Sequence, residues 1–134
     1  MKRTLLSLFL CLTLLVGMTS VLPAGDSHSP VLSRIVKNGE FRVGTSGSQP
    51  PFTMKNKDGE LIGYEVELAE ILATAMKVEL KLVEKPFPEL LPALKKGEID
   101  AVMSGMTMTP ERNLKAAFVG PYVVSGKSIL TKDK

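Results

Sequence analysis

The sequence predicts an α/β domain in which a mainly parallel sheet carries helices on both faces. Short strand-like runs recur at Phe41 to Val43, Val78 to Leu82 and Ile99 to Met103, and segments with helical spacing of apolar residues lie between them. Each strand also runs into a loop rich in Gly, Pro or Ser. A β-α-β-α-β order with right-handed crossovers makes consecutive strands parallel and lays the connecting helices on the sheet.

At the start of the chain, Lys2 and Arg3 precede an apolar run from Leu5 to Val16, followed by small and turn-forming residues as far as Gly25. Residues 1–25 read as a secretory signal peptide. The run is shorter than the roughly 20 residues of a comfortable membrane span, although extension to Leu22 leaves an uncleaved anchor as the alternative. Cys11 lies inside the run rather than at its end, which argues against lipid attachment. It is the one cysteine of the chain, so the exported part offers no disulfide and no thiolate. Most of the formal charge of +3 also belongs to Lys2 and Arg3. The remaining lysines are interleaved with glutamates, with no basic stripe or aromatic platform for nucleic acid. Residues 26–30 form a flexible tether, and the lone His28 within it makes no metal site, so no cofactor is expected.

Ser29 caps a helix that has Pro30 in its first turn, Val31, Leu32, Ile35 and Val36 on one face, and Asn38-Gly39 as its stop. Strand one follows, and Ser46 to Phe52 (SGSQPPF) makes a rigid bend at its carboxyl end, with Phe52 read as a core plug. Asn56-Lys57-Asp58-Gly59 is a hairpin turn between the short strands Thr53–Lys55 and Leu61–Ile62. Gly63 to Met76 is the clearest helix, with Tyr64, Leu68, Ile71, Leu72 and Ala75 as its apolar stripe and Glu65 and Glu67 near its positive end. Strand two is broken off by Pro86-Phe87-Pro88. A short helix through Leu90, Leu91 and Leu94 ends at Gly97, with Pro92 either bending it or starting its regular part. Strand three delivers the loop Ser104 to Arg112, SGMTMTPER, to the same edge of the sheet as the other two loops.

SGMTMTPER reads as a small anion site. Thr109 caps a helix start, Pro110 occupies its first position and Glu111 complements the dipole. Arg112 emerges in that turn beside the loop hinged at Gly105, where a guanidinium fork and free backbone N–H groups can converge on one carboxylate. Such geometry suits an amino acid or organic acid. Met103, Met106 and Met108 read as core filler or as an adaptable apolar wall.

The blocks FRVGTSGSQPPF, DGELIGYEVELAEILA, FPELLPALKKGEIDAVMSGMTMTPER and FVGPYVVSGKSIL cover nearly all of Phe41 to Leu130. In this order and spacing they resemble the family 3 extracellular solute-binding proteins, the amino-acid receptors of ABC importers. The resemblance implies a periplasmic-binding-protein-like lobe of type II. It also implies that an amino acid or similar small carboxylate is bound outside the cytoplasm, periplasmic or extracellular, for delivery to the membrane permease of an ABC importer. Carried over, Arg112 clamps the ligand α-carboxylate with help from the Thr107 N–H. The Thr107 hydroxyl and Gly105 carbonyl accept from the ammonium, Ser46 lines the side-chain end of the pocket, and Phe87 packs on the ligand. Gln49 stands where many relatives carry an aromatic residue, and Phe87 where many carry tryptophan.

Relatives continue for roughly another hundred residues into a second lobe, so residues 31–134 are expected to be a first lobe alone, incomplete and weak in binding by itself. The resemblance extends to sensor modules of membrane receptors, to murein-cleaving enzymes with such a module, and to cyclohexadienyl dehydratases. No catalytic residue is assigned, because Glu89 and Glu111 are the only acids in the three loops and both read as helix-start residues. Mass spectrometry of the mature amino terminus is expected to find the leader cut between about Thr19 and Gly25. Retention of Met1 to Leu15 on a soluble product would refute a cleaved leader.

Overall fold

The computed structural model describes residues 29–126 and 129–132; the leader and residues 26–28 of the tether lie outside them. The elements are α1 (Pro30–Asn38), β1 (Glu40–Thr45), β2 (Ser48–Gln49), β3 (Thr53–Lys55), β4 (Leu61–Ile62), α2 (Tyr64–Met76), β5 (Glu79–Glu84), α3 (Phe87–Lys96), β6 (Ala101–Val102) and α4 (Pro110–Asn113). β1 lies at the centre of a three-stranded sheet of order β5-β1-β6, parallel to both neighbours, with Phe41 opposite Leu80 and Val43 opposite both Leu82 and Ala101. β2, β3 and β4 form a small antiparallel sheet. Its hairpin turn is held by the Asn56 side-chain oxygen, which accepts from the N–H groups of Asp58 and Glu60 at 2.9 Å, while Gly59 takes the positive φ.

Helices cover both faces of the main sheet. Phe41 and Val43 point from β1 into a core shared with Ile35 of α1, Ala69 and Ala73 of α2, and Met103. On the other face sits Gly44, where a Cβ would run into the side chains of Ile99 and Leu90. The missing side chain lets α3 lie close against β1, and Leu90 and Ile99 are fully buried there.

Three sequence expectations are corrected. The α2 stripe is rotated: the helix buries Glu65, Val66, Ala69 and Ala73, Leu68 is partly buried, and Tyr64, Ile71, Leu72 and Ala75 are exposed. Two alanines let the helix approach the sheet more closely than a row of leucines would, so the face of small residues wins. In α1 only Ile35 is buried, and Val31, Leu32 and Val36 are exposed. Phe87 and Pro88 belong to α3 rather than to a preceding loop; as its first residues they need no intrahelical N–H partner, and the helix runs through Pro92 to Gly97.

The amino-terminal side of the sheet is locked by a buried carboxylate. The Asp100 side chain is 1% exposed. Its Oδ2 accepts from the Arg42 N–H at 2.9 Å and from Arg42 Nε at 3.0 Å; its Oδ1 accepts from Arg42 Nη2 at 2.9 Å and from Arg34. Burial pushes this carboxyl up, but the bonds from Arg42 and Arg34 outweigh it and hold the pKa below its ordinary value of 3.8. A folded-state pKa that is depressed adds stability above the unfolded value and loses it as pH falls through the folded one. Asp100→Asn is therefore expected to cost about 3 kcal/mol in urea unfolding at neutral pH, because two guanidinium groups lose their anion. The deficit against wild type should shrink below about pH 4, as the wild-type carboxyl itself becomes protonated.

Candidate ligand-binding site

Because the three central strands are parallel, their carboxyl ends share one edge and the three loops meet there. The first and third are joined by hydroxyls: the Ser46 N–H donates to Ser104 Oγ at 3.0 Å, and Ser104 Oγ lies 2.9 Å from Ser46 Oγ, which also contacts Ser48 Oγ at 3.2 Å. Ser104 is fully buried. The third loop is further fixed at Gly105, whose N–H donates to Glu65 Oε1 at 2.7 Å. Gly105 has φ +56°, and a Cβ there would strike the Gln49 amide oxygen, so loops one and three are in close contact.

Arg112 projects from the start of α4. Its N–H donates to the capping Thr109 hydroxyl at 3.3 Å, its Nη1 donates to the Thr107 carbonyl at 2.8 Å, and its guanidinium carbon lies 5.5 Å from the centroid of the Phe87 ring. The guanidinium is thus positioned by one carbonyl and one aromatic face. Among the described residues it makes no ion pair. Phe87, Met106, Thr109 and Arg112 line a concavity of about 370 Å³ that also reaches Glu111 and Lys115. The Glu111 carboxyl is held below its ordinary value by its own backbone N–H and by the Thr109 hydroxyl, as a helix-start acid should be.

Of the five residues picked from the sequence, Phe87, Thr107 and Arg112 make one cluster. Thr107 joins through its carbonyl only and does not line the concavity, and Ser46 and Gly105 lie on the adjoining loop contact, also outside that lining. α4 has only four residues, so its dipole is slight and the guanidinium supplies the attraction for an anion. Two participants were missed. Glu65 is 1% exposed and accepts from Gly105 and from the Tyr122 hydroxyl. Burial first, and then the bond to Glu65, raise the Tyr122 pKa. An acid in the first turn of a helix has an ordinary explanation as a dipole partner, and that hid Glu65. Among the described residues no cluster of His, Cys, Asp or Glu could hold a metal ion, and no helix is long and apolar enough to cross a membrane.

The chain belongs to the bacterial extracellular solute-binding proteins, family 3, whose model matches residues 41–134. It is 32% identical over 134 residues to the histidine-binding periplasmic protein of Escherichia coli, a match covering 99% of this chain and 46% of that protein. Over 81 residues it is 43% identical to the L-arginine-binding protein of Pseudomonas aeruginosa, covering 60% of this chain and 31% of the relative. The chain therefore spans less than half the length of either relative. Among solved structures it resembles the arginine-bound form of domain 1 from TmArgBP, at 40% identity and a TM-score of 0.65 over 66% of this chain and 71% of that one. It also resembles an ancestral cyclohexadienyl dehydratase, at 37% identity and a TM-score of 0.67 over 69% and 38% of the two chains.

Gly105→Ala is expected to lower stability by about 1–2 kcal/mol, the cost of a left-handed residue with a Cβ. The added methyl must also displace Gln49, so the shift should be visible in the melting temperature and in the amide spectrum of both loops. A melt unchanged from wild type would show that the loop has another conformation.

Proposed function

We propose that this chain is the first lobe of an extracytoplasmic amino-acid receptor that delivers its ligand to the permease of an ABC importer, with Arg112 as the clamp for the ligand carboxylate. The observation that carries the reading is the guanidinium itself: oriented by the Thr107 carbonyl and the Phe87 ring, with donors left over and no carboxylate of the described chain to take them. Only arginine offers two parallel donors in a plane, the match for a carboxylate. The names of the relatives, which are binding proteins for arginine and histidine, support an amino acid as ligand. The arginine-bound domain 1 supports binding by a lobe of this kind. Phe87 is then shared between guanidinium and ligand, while Ser46, Gly105 and Thr107 border the rest of the ligand.

The likeness to a dehydratase favours no catalytic role here. Glu65 is engaged with Gly105 and Tyr122, and Glu111 is held ionised at a helix start, so neither is aimed at a substrate as a proton donor.

Calorimetric titration with L-arginine and L-histidine tests the reading. Arg112→Lys is expected to lose about 2 kcal/mol with the better of these, roughly thirtyfold in affinity, because the charge stays but the fork is lost. Lys57→Ala, at the exposed hairpin turn, serves as the control and should change affinity little. Lys115 is unsuitable as a control because it borders the same concavity as Arg112. Equal affinities for wild type and Arg112→Lys would exclude Arg112 as the clamp.

A further inference from the structure

Glu65 connects loop one, loop three and the chain beyond α4. Its backbone N–H donates to the Phe52 carbonyl at 3.0 Å, at the end of loop one. Its side chain accepts from the Gly105 N–H at 2.7 Å, in loop three, and from the Tyr122 hydroxyl. The Tyr122 ring also packs beside Tyr64, the residue preceding Glu65, with centroids 6.2 Å apart. The carboxylate is 1% exposed, its Oε2 has no hydrogen-bond partner, and among the described residues no lysine or arginine pairs with it. An acid buried with one oxygen unsatisfied is costly unless the other oxygen makes strong bonds. Here Oε1 makes two.

We propose that Glu65 is the positioning residue of the ligand loop: its carboxylate fixes Gly105, and through Tyr122 it ties the course of the segment beyond α4 to the same oxygen. A shift of that segment is thereby transmitted to the loop that precedes Arg112. The consequence for ligand affinity rests on the receptor reading above; the consequence for the loop does not. Gly105 is half-buried, and Glu65 Oε1 is the acceptor that its N–H finds at φ +56°.

The test uses the 134-residue chain with amide hydrogen exchange read at Gly105 by NMR, followed by titration with L-arginine. Leu90→Ala, a core truncation on the opposite face of the sheet, measures the effect of lost stability alone. Glu65→Ala is expected to speed Gly105 exchange about tenfold beyond Leu90→Ala and to weaken L-arginine binding by about tenfold, the effect of losing one part-buried hydrogen bond. Glu65→Gln keeps an acceptor at Oε1 for Gly105 and Tyr122, so it should restore both readouts to within about threefold of wild type. Tyr122→Phe removes one donor at a residue 42% exposed, where folding is not at risk, and should give intermediate exchange. Exchange at Gly105 no faster in Glu65→Ala and Tyr122→Phe than in Leu90→Ala would overturn the proposal. So would a loosened loop with unchanged affinity for L-arginine. Should wild type bind no amino acid, the receptor reading falls alone, and the exchange data still decide for or against Glu65.

Discussion

Parallel pairing of β1 with both β5 and β6 is the constraint from which the rest of this structure follows. Once those strands run the same way, each must be reached by a crossover, the crossovers become α2 and α3, and all three carboxyl ends fall on one edge. The loops at that edge have no choice of neighbours. Ser46 meets Ser104, Gln49 meets Gly105, and Phe87 meets Arg112 because strand direction delivers them there, although 58 residues separate the two serines. A residue's membership of the site is thus a property of topology before it is a property of its side chain.

The two ends of the sheet solve different problems with the same chemical group. At the amino-terminal side Asp100 is buried against two arginines, so its charge is neutralised and its four bonds join α1, β1 and the start of β6. At the carboxyl edge Glu65 satisfies one N–H and one hydroxyl, and among the described residues no cation pairs with it and no acid pairs with Arg112. With the Glu65 carboxyl group on the backbone of the loop rather than on the guanidinium, the Arg112 charge stays unpaired among the described residues, as the receptor reading requires. Had Glu65 reached Arg112 instead, the pair would be self-neutralising and an incoming carboxylate would have to displace it.

Much of this order is legible in the sequence because it is written in residues whose backbone or periodicity admits few alternatives. Asn38-Gly39 and Gly97 end helices, Asn56 to Gly59 turns a hairpin, and alternation in Phe41 to Val43 marks a central strand; all of these depend on neighbours within a few positions. What escaped depends on distant partners. The buried face of α2 is decided by how closely Ala69 and Ala73 allow it to approach β1, and alanine carries too little hydrophobicity to announce that by itself. Pro92 reads as a bend or as the start of the regular part, yet the helix already begins at Phe87 and carries Pro92 within its ten residues. Glu65 looks like a dipole partner at short range and becomes a loop anchor only when Gly105, 40 residues later, folds against it.

Arg112 is half-buried, which bears on how it would hold a carboxylate on the receptor reading. A carboxylate paired with a solvent-facing guanidinium gains about 0–1 kcal/mol, since water competes for both partners. The same pair shielded from water is worth about 1.5–3 kcal/mol as a hydrogen-bonded charge pair. The fixed Thr107 carbonyl and Phe87 ring narrow that gap by holding the fork in one orientation before ligand arrives, so less side-chain entropy is lost on binding. The ring also excludes water from one side of the guanidinium, which strengthens each remaining donor. On the receptor reading, a guanidinium with these two supports holds a carboxylate with modest affinity while one side is open, and any element that covers that side strengthens the pair without altering the contacts already made.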